Sequence, residues 1–132
     1  MQEYNAKIKI ENKQKSEDGD EVFTQNLPCR FMYKGKKAYI LYKAEGVTSK
    51  IRVENGIVTV TRMGEFSNEM VYHEGDNKPF IYKMPYGEIE MELVTERVFI
   101  NLDENGGEIE LQYKLLFSGT ENRNNMRIII SV

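Results

Sequence analysis

The residues best equipped to do chemistry are few, and they do not assemble into a catalytic set. His73 is the single histidine, so there is no imidazole dyad and no histidine-rich metal site. It stands just ahead of Glu74-Gly75, at what reads as a strand end on the surface. Cys29 is the single cysteine; it shares phase with Leu27 and Phe31, which predicts an inert buried thiol rather than a nucleophile. No glycine-rich phosphate loop opens a helix, no metal-ligand spacing occurs, and no Gly-x-Ser-x-Gly elbow is present. Glu88, Glu90 and Glu92 alternate along one strand face beside Lys83, a charge ladder that solvates a sheet and discourages edge pairing. A glycoside-hydrolysing carboxylate pair needs a cleft and a fixed separation, which this spacing does not supply. We expect no catalytic residue, no metal and no cofactor, in a protein that is not an enzyme.

Binding chemistry is better represented, by polar residues that keep phase with apolar rows. Gln25 follows Phe23 and precedes Leu27, Arg62 follows Val58 and Val60, and Asn68 shares phase with Phe66, Met70 and Tyr72. All three should point inward. An inward arginine needs a counter-charge or a ligand anion, unless it lies at a rim where its stem is buried and its head is wet. Tyr33, Tyr39, Tyr72, Tyr82 and Tyr113 offer flat apolar surface with a polar tip, as pocket walls or as core. The expected ligand site is Arg62, Asn68, Tyr72, Tyr82 and Tyr39, at one mouth of a barrel.

The elements that must position these residues are strands. Turn signals recur every eight to twelve residues, from Asp18-Gly19 through Asn55-Gly56 and Pro85-Tyr86-Gly87 to Ser118-Gly119. Between them apolar and polar residues alternate with period two, and no window carries a sustained helical repeat. Asn55-Gly56 suits a type I′ hairpin with Glu54 opposite Ile57, Val53 opposite Val58, Ile51 opposite Val60 and Ser49 opposite Arg62. The predicted fold is all-β, a single antiparallel up-and-down barrel of about eight to ten strands over residues 1–132, with no major helix. The phase changes between Leu93 and Val98, which predicts a bulge near 94–97. Pro28 marks an edge or a bulge. Ala38 to Tyr42 and Met126 to Val132 are apolar on both faces, covered by a partner chain or flap, or simply exposed.

Bulk composition narrows the function classes. With 40% hydrophobic and 30% charged residues among 132, the chain is an ordinary globular domain. The net charge of −3 argues against general nucleic-acid binding, and the apolar runs are too short to span a bilayer. A lone cysteine and a polar N-terminus point to the cytoplasm. Charge is unevenly spread. From Arg30 to Val53 seven cations face one acid, whereas from Gly64 to Thr120 twelve acids face four cations. A basic and an acidic face should result, solvated or available for association and anion steering.

Several segments carry a family resemblance: Ser67-Asn68-Glu69-Met70-Val71-Tyr72-His73-Glu74-Gly75, Tyr82-Lys83-Met84-Pro85-Tyr86-Gly87, Gly35 to Tyr42, Val58 to Gly64 and Asn105 to Leu111. Together they resemble the uncharacterised bacterial YwiB-like proteins across nearly the whole chain. That resemblance implies a lipocalin-like, calycin-type barrel and brings no activity or catalytic residue with it. The length also suits intracellular lipid-binding barrels, which place a helical lid after the first strand; here Asp18 to Tyr33 alternates like a strand. The leading expectation is a cytoplasmic barrel that binds a small apolar or anionic ligand at one mouth. The alternative is a non-enzymatic protein-interaction module or homo-oligomer, a homodimer for example, using the basic wall of residues 30–52.

Overall fold

The computed structural model describes residues 2–132, and these form ten strands in one antiparallel sheet. In chain order they are β1 (Gln2–Ser16), β2 (Gly19–Lys34), β3 (Lys37–Ala44), β4 (Val47–Glu54), β5 (Ile57–Gly64), β6 (Asn68–Tyr72), β7 (Asn77–Met84), β8 (Gly87–Asp103), β9 (Gly106–Phe117) and β10 (Thr120–Ser131). Neighbours in sequence are neighbours in space except that β1 pairs with β10, so β6 and β7 become the two ends of the sheet. Those ends meet at one bridge, where Ser67 and Lys83 exchange backbone hydrogen bonds of 3.0 and 2.8 Å. The barrel is thus nearly closed, with a seam between β6 and β7.

Local chemistry explains the hairpins. Asn55 and Gly56 both have positive φ, 52° and 76°, as a type I′ turn requires. The resulting register is the expected one, from Glu54–Ile57 through Val53–Val58 and Ile51–Val60 to Ser49–Arg62. The β8–β9 ladder shifts between Thr95 and Arg97, so the bulge falls where the apolar phase changes. The last pair between β2 and β3 is Arg30–Leu41. Pro28, which has no N–H to donate, stands just beyond it. From there toward Gly19, β2 keeps only its partner β1 and peels away from β3.

The interior changes character along the barrel. One end is an aliphatic plug in which Ile8, Phe31, Ile40, Ile51, Val58, Ile109 and Ile128 are at most 1% exposed. Toward the other end several inward rows turn polar: Ile8 and Ile10 lead to Asn12, Val53 and Ile51 to Ser49, and Ile130 and Ile128 to Asn124. The outer faces of the two doubly apolar segments are ordinary sheet surface. Tyr39 and Leu41 are half-buried among neighbouring outer side chains, as is Ile129.

Candidate functional site

The polar end of the barrel is built from two rows of cross-strand neighbours. On one side Tyr42, Ser49, Arg62 and Asn68 stand in register across β3, β4, β5 and β6. On the other, Gln14, Asn124, Tyr113 and Thr95 stand in register across β1, β10, β9 and β8. Two interior cavities of about 440 and 480 Å³ lie between the rows, with Tyr42, Ser49, Arg62, Asn68, Gln14 and Tyr113 in their walls. Both cavities are lined by Arg62, Asn12, Gln14, Phe66 and Met126. One opens where β2 departs from β3, between Phe23 and Gln25 on one side and Glu45 on the other. A third cavity of about 510 Å³ follows the β6–β7 seam and shares Arg62, Asn68 and Phe80 with the interior.

Arg62 is the electrostatic centre of this space. Its Nη1 donates to Asn68 Oδ1 at a long 3.4 Å and to the weak thioether acceptor Met70 Sδ at 3.9 Å. None of the ion pairs among the described residues involves Arg62. The phenols beside it stay neutral. Burial pushes the Tyr72 hydroxyl well above its usual value, Tyr113 adds to the effect, and the Arg62 charge opposes it. Burial likewise raises Tyr113. The two rings meet edge to face at 4.9 Å.

Four of the five residues expected at the mouth converge there: Arg62, Asn68, Tyr72 and Tyr82 all line the same cavity. Tyr82 packs its ring 5.8 Å from Phe66. Tyr39 does not belong to the group. Ala38, Ile40 and Tyr42 take the inward phase of β3, so Tyr39 faces outward, where Lys50 Nζ lies 5.5 Å from its ring centroid. A segment apolar on both faces hides its own parity, and Tyr42 is the tyrosine of β3 that lines the interior. The aromatic corner at Pro85-Tyr86-Gly87 is also external, with Tyr86 98% exposed.

Sequence reasoning missed Asn12, Asn124 and Thr95, which are buried polar residues of the same end. The signal was available for the first two. Asn12 continues the phase of Ala6, Ile8 and Ile10, and Asn124 that of Met126, Ile128 and Ile130. Thr95 extends the row of Ile89, Met91 and Leu93 into the bulge, where phase is lost.

The reactive side chains lie outside this space. His73 is exposed; its Nδ1 stands 3.1 Å from Asp76 Oδ2, and Lys78 Nζ is 3.2 Å from the same oxygen. Those bonds, that from Lys78 foremost, hold the Asp76 carboxyl below its usual range. Burial pushes the Cys29 thiol up to about 11. Iodoacetamide at pH 8 should therefore alkylate native Cys29 at least about 100-fold more slowly than the unfolded chain, from thiolate population alone. Equal rates in the two states would contradict the burial.

Comparison with known proteins agrees with the geometry. The family described as Domain of unknown function (DUF1934) matches residues 8–128. The chain is similar to the "Uncharacterized beta-barrel protein YwiB" of Bacillus subtilis (strain 168), 29% identical over 104 residues, which are 75% of this chain and 73% of that protein. In three dimensions it is similar to the crystal structure of the ywiB protein from Bacillus subtilis, with a TM-score of 0.91 and 24% identity. That likeness covers 99% of this chain and 93% of the other and concerns the fold.

Proposed function

The chain belongs to the DUF1934 family, domains of unknown function, and from its interior we propose that it binds a small apolar ligand whose anionic group is held by Arg62. One observation carries the reading: a guanidinium projects into a largely apolar cavity, among the described residues without a carboxylate in salt-bridge range. An isolated inward charge is costly, and a bidentate carboxylate or phosphate oxygen pair is the partner its planar fork fits. Met70, Met126, Tyr113 and Phe80 supply adaptable apolar walls for the rest of such a ligand. The cavities fall within the usual size range for small-molecule sites.

The proposed role is binding: a cation, amides and neutral phenols on apolar walls are groups that hold and orient a ligand. A reducing compartment such as the cytoplasm suits the lone buried thiol. Association through residues 30–52 has less to support it. Arg30 pairs with Glu3 at 3.1 Å and Lys37 with Glu54 at 3.2 Å, so part of the basic wall is already neutralised within the chain.

A thermal-shift panel of decanoate, decanol, haem, nucleotides and inorganic phosphate tests the proposal. Decanoate should raise Tm in a concentration-dependent way, and decanol should raise it much less. Equal shifts from the acid and the alcohol, or no shift from any acid, would overturn it.

A further inference from the structure

Arg62 borders the two interior cavities and the seam cavity alike, and no other described residue borders all three. The seam cavity passes through the barrel wall. Its lining takes Glu69, Val71 and Ile81 from the outer faces of β6 and β7, and Asn68 and Phe80 from their inner faces. Backbone pairing explains the gap. Ser67 and Lys83 set an antiparallel register in which Glu69 would face Ile81 and Val71 would face Pro79. Among the described residues no backbone hydrogen bond joins either pair. Pro79 has no N–H to offer, and β6 is only 5 residues long. Glu69 and Lys83 bring one charge of each sign to the seam, and neither belongs to an ion pair among the described residues.

An anion held at such a junction can carry a substituent on each side. A carboxylate has room for one. A phosphodiester has two, and it keeps a pair of non-ester oxygens for the guanidinium fork. We propose that the ligand is a phosphodiester amphiphile: the phosphate on Arg62, the apolar chain in the interior among Met70, Met126 and Tyr113, and a small polar head in the seam between Val71 and Ile81. The seam cavity, at about 510 Å³, has space for such a head, and its two charges suit a zwitterionic one. This placement rests on Arg62 as the anion site and deepens it, because the anion becomes internal to the ligand instead of terminal.

Isothermal titration of the whole protein with decanoate, decylphosphocholine and glycerophosphocholine, each kept below micelle-forming concentration, tests it. Decylphosphocholine should bind at least as tightly as decanoate. Glycerophosphocholine, a diester without the chain, should bind at least about 100-fold more weakly than decylphosphocholine, since it buries no alkyl group. Val71→Trp fills the seam from its outer face; it should weaken decylphosphocholine by about tenfold or more and leave decanoate within about twofold. Should that variant fail to fold, intermolecular NOEs from the choline methyls to the Val71 and Ile81 methyls of the unaltered protein serve instead. Decanoate binding with decylphosphocholine at least about tenfold weaker overturns the diester and leaves Arg62 as the site of a terminal anion. Equal losses of both ligands in Val71→Trp, or choline NOEs to other residues only, overturn the head in the seam. Glycerophosphocholine binding as tightly as decylphosphocholine overturns the chain in the interior. Absence of binding by decanoate and by decylphosphocholine overturns the anion site as well.

Discussion

Arg62→Met should weaken decanoate binding by about 10- to 100-fold, the worth of a charge-assisted bidentate contact in a sheltered site. Methionine keeps most of the apolar stem and deletes the charge. The same change should leave folding stability unaltered or slightly improved. In the free protein the guanidinium has only Asn68 Oδ1 at 3.4 Å and Met70 Sδ at 3.9 Å to face, so little is lost with it. Removing an unpaired, partly buried charge is often neutral or stabilising. The two readouts together separate a binding residue from a structural one. A variant that loses several kcal/mol of stability while binding decanoate normally would identify Arg62 as scaffold. Arg52→Met, on the outer face opposite Thr59, is the matched control and should leave binding unchanged. Should Arg52→Met abolish binding instead, the ligand would belong to the basic wall.

Gly107→Ala should cost about 3–5 kcal/mol in denaturant unfolding, the largest stability effect we expect from a single methyl group. Gly107 has φ of 139° and lies where β9 leaves the β8–β9 turn, paired with Leu102 on one side and Ile130 on the other. A Cβ there would be driven into the Asn101 carbonyl oxygen, with Leu102 Cα only 3.2 Å away. Both obstacles are backbone, so relief requires moving a strand. Gly119→Ala provides the contrast. Gly119 also has positive φ, 78°, but a Cβ there meets nothing within 4 Å, so only the conformational cost of about 1–2 kcal/mol remains. Equal losses in the two variants would show that backbone conformation, and not close strand approach, dominates at Gly107.

The barrel was legible because its determinants are local. Each turn signal sits at a real turn, and a period-two pattern assigns every side chain a face once one hairpin is registered. Asn55-Gly56 fixes the β4–β5 register alone, and that register placed Arg62 inside beside Ser49. The site was half legible for the same reason. Arg62, Asn68 and Tyr72 sit in rows whose parity is clear, whereas Tyr39 sits in a segment apolar on both faces. Asn12 and Asn124 were missed because their significance is mutual. The two are 112 residues apart in the chain and meet only after β1 pairs with β10. The β6–β7 seam and the departure of β2 from β3 depend on how the sheet curls shut. Pro28 hinted at the second; nothing in the alternation foretells the first.

Location of a bound acid is the most direct check on the account. Solution NMR of the labelled protein with decanoate should give intermolecular NOEs from the alkyl chain to the interior methyls and rings of Met70, Met126 and Tyr113, and should shift the Arg62 guanidinium resonances. NOEs confined to outer residues such as Leu41 and Ile129, with the Arg62 resonances unmoved, would contradict a ligand inside the barrel.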